Sequence, residues 1–569
     1  MKAARRFTAL FLLLLLLLLF HEDAFIDRHG EVNAFRGAQL EADVFDPLIA
    51  GNVNQAGLLR LTIDGKEEAL DTGELFLNQN MHVMASLEFI RNVFSCAANL
   101  YDDSRIEILR NSHTFILNLK TPDALQDGEE VKLIEAPQKY SDKTYICLED
   151  FCSLINYDFR YDAEKTTVVL DSSDAEAPKL RGEYDLRDHG RVSKIRDQGS
   201  LSACWSYAAM SALESSMLPE RSITLSPDNL AEHNTYGISA EDSGTYMVAM
   251  SSMLAWKQPI EENGSEVALH LQEVHYYSGD DKDAVKWAIF KNGGVSTSLY
   301  AEIDTSNLSK SSFYNNKNNS YYYDGNKEPN HDVVIIGWDD DYPKTRFSRQ
   351  AKEDGAFICQ NSWGSEFGDK GVFYVSYDDT NIAKSAVSYV KVESTTDYDH
   401  IYQSDLEGHV GNLGYNTPTA LAANVYTARG DEELRAVGLY AVGPETEYRI
   451  YTVSDFTDTT SLSRRREQAS GTLQDAGFYT IPLRDALPLT QGENFAVVIM
   501  LTTKNGTLPI AVEYPNSKLS EQADITDGKG YISRNGLNWS SVEDTYAANL
   551  CLKAYTTNKN NQNTNTENE

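Results

Sequence analysis

The cysteine with the clearest chemical context is Cys204, in the stretch Gln198–Trp205 (Gln-Gly-Ser-Leu-Ser-Ala-Cys-Trp). The following run, Ser206–Ser215, consists mostly of good helix formers with an Ala/Leu/Met stripe, which predicts a helix. Cys204 would then lie at a helix N-terminus, where the helix dipole lowers the pKa of a thiol and favours the nucleophilic thiolate. A lone cysteine on an apolar helix is more often a buried structural residue, so further residues must decide between these interpretations.

Two later stretches supply the partners that a nucleophilic thiol needs. His331 begins an apolar, β-branched run typical of a buried strand, and Asn361 follows a second apolar run and precedes Ser-Trp-Gly. An imidazole that activates a thiol, oriented by an amide, is the arrangement of Cys-His-Asn catalysis. His331 and Asn361 lie 127 and 157 residues after Cys204, close to the roughly 130–150 residues of papain-type enzymes.

On these motifs, residues 183–393 resemble the papain-like cysteine peptidases. Gln198, six residues before the cysteine, matches the family's oxyanion-hole glutamine, and Trp363 matches the tryptophan that shields the catalytic asparagine. Ser243 and Gly244 fall where the family keeps a glycine that binds the substrate backbone. The resemblance implies a helical lobe, a β-barrel-like lobe and a substrate cleft between them, with no metal or organic cofactor.

The chain departs from the family pattern at three points. Leu201 stands where the family has a disulfide cysteine, and no cysteine between 205 and 358 could partner one. Ser202 replaces a glycine beside the predicted oxyanion hole. No helical inhibitory propeptide with the family's charged signature precedes residue 183.

The charge balance excludes some classes of partner. The 569 residues include 85 acidic and 50 basic side chains, a net charge of −35. So acidic a surface argues against nucleic acid or an anionic membrane as a partner. Solubility alone also explains the charge, and we favour that explanation.

The first 24 residues carry a basic start and an apolar run from Phe7 to Phe20. This pattern predicts a secretory signal peptide at 1–24, and therefore a secreted or cell-surface protein. The cleavage site is poor, so an uncleaved anchor remains an alternative, and the membrane is a partner only in that case. Six cysteines are too few for a disulfide scaffold, and isolated histidines such as His82 lack the spacing of a metal site.

Residues 25–171 contain a duplicated pattern of strand, short helix and strand. It resembles the small α+β module named for the N-terminal domain of copper amine oxidases, although the name implies no copper here. We interpret it as a spacer or folding aid. A polar linker, 172–182, follows and ends the first part of the chain.

The C-terminal part, 397–556, has several short strand signals separated by turns, which predicts a β-sandwich. It resembles the lectin-like domain found after papain-type peptidases in exported bacterial proteins, which implies cell-surface glycans as possible ligands. The Asn/Thr-rich tail 557–569 is expected to be disordered. The whole chain is thus predicted to be an α+β multidomain protein.

The sequence therefore predicts an exported cysteine endopeptidase that hydrolyses protein or peptide substrates through a thioester on Cys204. The roles implied are nucleophile for Cys204, base for His331, orienting amide for Asn361 and oxyanion donor for Gln198. Two alternatives stay open: a surface adhesin with an inactive peptidase fold, and a transpeptidase that uses the same residues. We also expect the linker 172–182 to cross the cleft, so that cutting it would raise activity.

Overall fold

The computed structural model describes residues 25–27, 59–68, 70, 73–140, 143–257, 259–279, 281–303, 307–516 and 520–559. The predicted signal peptide, 1–24, lies outside the described residues. Within them, no helix has the length and apolarity needed to cross a membrane. The described α-helices are Leu87–Phe94, Leu148–Leu154, Cys204–Met217, Pro227–Glu232, Tyr246–Leu254, Lys282–Asn292 and Val542–Tyr546. Short 3₁₀ turns occupy Leu186–His189, Leu308–Lys310, Lys344–Arg346 and Thr459–Arg464.

The N-terminal region forms three antiparallel or mixed sheets around its own apolar core. In spatial order the first sheet contains Glu129–Lys132, Asp123–Gln126, His113–Asn118, Arg105–Arg110 and Ala97–Tyr101. The second contains Gln138–Tyr140, Lys143–Cys147, Val83–Ser86 and Leu75–Leu77, and the third Asp158–Asp162, Thr167–Asp171, Arg60–Ile63 and Lys66–Glu68. We call residues 59–171 the N-terminal module.

The N-terminal module contains two short helices, and each directly follows a strand. Val83–Ser86 runs into Leu87–Phe94, and Lys143–Cys147 runs into Leu148–Leu154. The two leading strands pair with each other in antiparallel register. The side chain of Ser86 caps the first helix by accepting from the Phe89 N–H, whereas the second helix has no side-chain cap.

One sheet runs through the middle of the molecule and crosses from the peptidase-like part into the C-terminal part. Its order is Tyr314–Asn315, Ser320–Tyr321, Val372–Ser376, Ala356–Gln360, His331–Asp339, Val295–Leu299, Ser385–Ser394, Leu269–Ser278, Ala476–Leu489, Glu432–Ala441, Leu552–Asn558 and His400–Tyr402. The strand Glu183–Asp185 pairs with His331–Asp339 beside this path. The strand Leu269–Ser278 pairs on one side with Ser385–Ser394 and on the other with Ala476–Leu489.

Two further sheets complete the C-terminal part and share an apolar core with the long sheet. One contains Arg466–Leu473, Thr446–Val453, Asn494–Thr503, Thr419–Thr427, Gly530–Ser533 and Ser540–Ser541. The other contains Phe25–Asp27, Gly411–Gly414, Ile510–Glu513 and Asn549–Leu550. The residues 25–27, which the sequence assigns to the N-terminal module, therefore pair with the C-terminal part instead.

The predicted disordered tail, 557–569, begins too early in the chain. The strand Leu552–Asn558 includes residues 557 and 558, which pair with Glu432 and Glu433. Backbone pairing with the neighbouring strand Glu432–Ala441 overrides the polar composition here. Residues 560–569 lie outside the described residues.

The linker 172–182 does not take the course that the sequence analysis expects. The carbonyls of Glu176 and Ala177 accept hydrogen bonds from Arg110 and Asn111 of the N-terminal module. The Gly182 carbonyl accepts from the Asp340 N–H, just beyond the strand His331–Asp339. Since His331 begins that strand, a rise of roughly 3.3 Å per residue places the Gly182 end of the linker about 26 Å from His331. The linker therefore runs along the module and away from the predicted active site.

Candidate active site

His331 and Asn361 meet because their strands are antiparallel neighbours. His331 begins the strand His331–Asp339, Asn361 follows Ala356–Gln360, and Val334 pairs with Gln360. The His331 Nε2 lies 2.8 Å from the Asn361 Oδ1. An amide oxygen can only accept, so Nε2 carries the hydrogen and Nδ1 is the basic nitrogen. The ring is thus held with Nδ1 available for a proton.

The backbone around Asn361 fixes its side chain. Its Oδ1 also accepts from the Ser362 N–H at 2.8 Å, and its own N–H donates to the Gly371 carbonyl at 2.9 Å. The indole of Trp363 stacks on the His331 ring, with centroids 4.6 Å apart and an angle of 27° between the planes. This covers the His331–Asn361 hydrogen bond with an apolar surface and keeps water from competing for it.

Cys204 is the first residue of the helix Cys204–Met217 and is partly exposed. Burial raises the pKa of its thiol to about 12, while backbone N–H groups, including that of Asp332, lower it. Burial likewise lowers the pKa of His331 to about 4. The sequence pattern predicts a lowered thiol pKa, but with a neutral His331 the effect of burial outweighs that of the helix N-terminus. Each group alone therefore stays neutral, and a thiolate at Cys204 would need a positively charged neighbour to stabilise it.

The amide of Gln198 is anchored to the segment that follows Asn361. The Gln198 N–H donates to the Ser362 carbonyl at 2.9 Å, and its Oε1 accepts from the Ser362 Oγ at 2.6 Å. Its Nε2 donates one hydrogen to the Leu201 carbonyl at 2.8 Å, which leaves the second Nε2 hydrogen for another acceptor. The Cys204 N–H is the first of its helix and belongs to the donors that a helix leaves without an internal acceptor.

A buried ion pair ties the segment before Gln198 to the central helix. Arg196 donates to both carboxylate oxygens of Glu214, at 2.6 and 3.1 Å, and both side chains are about 95% or more buried. Arg196 also bonds to Glu262 at 2.9 Å, and Glu214 accepts from the Leu225 N–H. Because the pair joins residue 196 to a helix that starts at residue 204, it fixes the loop between them.

Gly244 lies beside the central helix at its N-terminal end. A Cβ at this position would sit 2.5 Å from the indole of Trp205, so only glycine fits. The neighbouring Ser243 is exposed, and the helix Tyr246–Leu254 follows, capped by Thr245. This close approach to Trp205 gives a packing reason for the glycine.

Asp332, to which the sequence pattern assigns no role, directly follows His331 in its strand. Its side chain is 9% exposed and accepts from the Ser298 Oγ at 2.5 Å across the sheet. Burial raises its pKa to about 6, and the Ser298 hydroxyl opposes the shift. The available sequence signal was an acidic residue at the start of an otherwise apolar strand.

Neither a disulfide nor a cluster of metal ligands occurs among the described residues. All six cysteines are free, and all except Cys204 are buried. Leu201, at the position of the family's disulfide cysteine, is partly buried and packs against the core. No cluster of three or more potential metal ligands occurs in the described part of the chain.

Two domain families match this architecture. Residues 180–390 match the papain family cysteine proteases, and residues 401–556 match the lectin like domain. The chain therefore contains a papain-family cysteine protease domain followed by a lectin-like domain. No comparison bears on the resemblance of the N-terminal module to that of copper amine oxidases, which stays a prediction.

Individual relatives agree with this class. Cathepsin S of Mus musculus is 27% identical over 219 residues, 35% of this chain and 59% of that protein. Cathepsin K of Gallus gallus is 26% identical over 209 residues, 33% of this chain and 56% of that protein. The chain thus spans less than two thirds of these relatives' length.

A solved structure shares the pair of domains. The cysteine protease and lectin-like domains of Cwp84, a surface layer associated protein of Clostridium difficile, superpose with a TM-score of 0.59 at 23% identity. The match covers 67% of this chain and 90% of that chain. At this identity the likeness shows the fold.

Proposed function

We propose that this protein is an exported papain-type cysteine endopeptidase. The observation that carries the proposal is the 2.8 Å bond from His331 Nε2 to Asn361 Oδ1, which presents Nδ1 as a base close to the start of the Cys204 helix. A binding protein with an inactive fold would have no need of this oriented base. The signal-like start and the similarity to a surface layer associated protein support a location at the cell surface.

The reaction uses the chain's own groups. The Cys204 thiol gives its proton to His331 Nδ1, and the sulfur attacks the peptide carbonyl carbon. The free Nε2 hydrogen of Gln198 and the Cys204 N–H stabilise the oxyanion. His331 returns its proton to the amine as the C–N bond breaks, and water then hydrolyses the thioester. Gly244 and Ser243 would hold the substrate backbone beside the sulfur.

The proposal is tested with the full chain and its Cys204→Ala variant on a peptide library analysed by mass spectrometry. The variant should cleave nothing, whereas Cys359→Ala, which alters a buried thiol elsewhere, should cleave like the parent. Equal cleavage by the parent and Cys204→Ala would reject the mechanism. An added amine appearing in the products would favour the transpeptidase alternative.

Gln198→Ala should lower kcat by about 10²–10³ because one oxyanion donor is lost, with a smaller effect on KM. Asn361→Ala should be milder than loss of His331, since Asn361 orients the base and transfers no proton. If kcat were unchanged in Gln198→Ala, Gln198 would have no role in stabilising the oxyanion.

A further inference from the structure

Lys553 and Asp405 form a pair that is almost completely withdrawn from solvent. Lys553 lies on the strand Leu552–Asn558, and Asp405 lies in the segment after the strand His400–Tyr402. The Lys553 Nζ is 2.9 Å from the Asp405 Oδ1, and the two side chains are 1% and 0% exposed. Since a C–O bond of this kind is about 1.2 Å long, the Asp405 Cγ lies within about 4.1 Å of Nζ. An amine nitrogen and a carboxyl carbon are therefore held close to reacting distance.

The hydrogen bonds around this pair do not suit two permanent charges. The Lys553 Nζ donates to the Gln403 Oε1 at 2.8 Å and to the backbone carbonyl of Asp405 at 3.3 Å. Neither carboxyl oxygen of Asp405 has a hydrogen-bond partner among the described residues. Burial raises the pKa of Asp405, and Lys553 opposes the shift. A buried ion pair needs further hydrogen bonds to offset the loss of hydration, and the Asp405 carboxylate lacks them.

A second buried acid contacts the same segment. The Glu513 Oε1 accepts from the N–H of Glu407, two residues after Asp405, at 3.4 Å. The Glu513 Oε2 is buried and has no hydrogen-bond partner in the described part of the chain. Burial raises the pKa of Glu513 to about 9, so its carboxyl keeps a proton at neutral pH. A neutral carboxyl beside this segment can give and take protons, as general acid–base catalysis requires.

We propose that Lys553 and Asp405 form an intramolecular amide bond in the folded protein. A proton moves from the ammonium to the carboxylate, and Nζ then attacks Cγ to form the N–C bond. A second proton passes from the nitrogen to the hydroxyl oxygen as the C–O bond breaks, and water leaves. The amine and the acid together equal the amide plus water, so no oxidant or further reactant is needed. The remaining N–H can still donate to the Gln403 Oε1, and two buried charges are lost.

This bond joins the two ends of the lectin-like domain, which spans residues 401–556. A cross-link between residues 405 and 553 closes a long loop of chain and so lowers the entropy of the unfolded state. The segment that carries Asp405 also contacts the peptidase domain, because the Glu407 carbonyl accepts from Tyr236 and Ser251. The amide bond forms independently of the proposed peptidase function.

Peptide mapping of the full chain by mass spectrometry, after denaturation and digestion with trypsin, tests the bond. The parent should yield a branched peptide that contains residues 405 and 553 and is lighter than its two parts by one water molecule. Trypsin should not cut after Lys553. Lys553→Arg, which keeps the positive charge, and Asp405→Ala should each give two separate peptides.

The same digest contains an internal control. Lys132 and Asp123 approach to 2.6 Å, but their side chains are 68% and 71% exposed. Water stabilises both charges there, so this pair should stay unlinked. A denaturing gel gives a further readout that does not depend on folding. The parent should migrate faster than Lys553→Arg, because a closed loop limits the expansion of the denatured chain.

The parent alone decides the outcome, even if both variants fail to fold. Separate peptides from the parent, with cleavage after Lys553, overturn the amide bond. A loss of water that maps to an Asp-Gly sequence, such as Asp527-Gly528, and not to a branched peptide overturns it as well, because a cyclic imide at that sequence has the same mass.

Discussion

The peptidase domain has two neighbours, and it is attached to them in different ways. Among the described residues, no strand of the N-terminal module pairs with the peptidase domain. The module contacts that domain through Ala97 and Leu109, which lie in its apolar core, and through polar pairs such as Arg91 with Glu220 at 2.9 Å and Tyr101 with the His189 carbonyl at 3.0 Å. The lectin-like domain instead continues its sheet, because Leu269–Ser278 pairs with Ala476–Leu489. We therefore expect the first neighbour to be separable and the second to be part of the folding unit.

Buried side-chain contacts also join the peptidase domain to the lectin-like domain. Thr480 donates to Gln272 at 2.8 Å in a buried position, and the Glu407 carbonyl accepts from both Tyr236 and Ser251. His275 lies between Glu273, at 2.6 Å, and Asp475, at 3.2 Å. Buried polar contacts of this kind are costly to leave unpaired, so the boundary resists separation.

The largest expected effect is that of truncation. A chain ending at residue 396 would expose the edge of Leu269–Ser278 and the apolar residues beneath it, so it should aggregate without a cooperative unfolding transition. A chain comprising 180–559 should fold and cleave a short peptide at about the rate of the full chain, because the linker runs away from the cleft. Solubility and thermal unfolding test whether each truncated chain folds, and kcat/KM on a short peptide compares the 180–559 chain with the full chain.

If the 180–559 chain were more active than the full chain, the N-terminal module or the linker would inhibit the peptidase. A soluble, active chain ending at 396 would contradict the view that the lectin-like domain belongs to the folding unit.

The next effect is that of the ion pair inside the peptidase. Glu214→Gln leaves the Arg196 guanidinium buried with half of its charge partners removed, which should lower the free energy of unfolding by about 3 kcal/mol. Because Arg196 holds the loop before Gln198, kcat should fall too. Chemical denaturation measures the free energy of unfolding, and peptide hydrolysis measures kcat. If the variant were as stable as the parent, the Arg196–Glu214 ion pair would not contribute to the stability of the fold.

The third effect is a pH dependence of the lectin-like boundary. Burial alone would lower the pKa of His275, but Asp475 and Glu273 outweigh it and raise the pKa to about 9. A raised pKa stabilises the folded state fully below the unfolded value near 6.5 and loses that contribution as pH rises through 9. The free energy of unfolding should thus fall by about 3 kcal/mol between pH 6 and 10.

His275→Gln should flatten this slope, whereas His82→Gln, in the N-terminal module, should not. Burial also raises the pKa of Glu513 at this boundary to about 9, and a raised carboxyl pKa acts in the same direction. Some slope should therefore remain in His275→Gln, and an unaltered slope would exclude His275 as its source.

The sequence reveals the site better than it reveals these boundaries. Cys204, His331 and Asn361 stand beside recognisable local patterns, and the structure places the last two in contact. Gln198 could be placed by its spacing, but its bond to Ser362 joins residues 164 apart. Such pairings depend on which strands become neighbours, and a local pattern does not specify that.

The same reason explains why the shared sheet could not be predicted. The alternation in Leu269–Ser278 indicates a strand, yet its partner Phe478 lies about 200 residues away. The burial of Asp332 could not be predicted either, because a single acid at a strand start is common and its hydrogen-bond partner, Ser298, lies on a neighbouring strand.

The smallest expected effect concerns the contact that should be dispensable. Arg91 and Glu220 are about one quarter exposed, and Glu220 also accepts from the Leu100 N–H. Solvent screens such a pair, so Arg91→Ala should cost at most about 1 kcal/mol in the free energy of unfolding and leave kcat/KM unchanged. Glu220→Gln keeps an acceptor for Leu100 and serves as the matched variant. A loss as large as that of Glu214→Gln would mean that the N-terminal module is held as firmly as the lectin-like domain, and the contrast between the two attachments would fail.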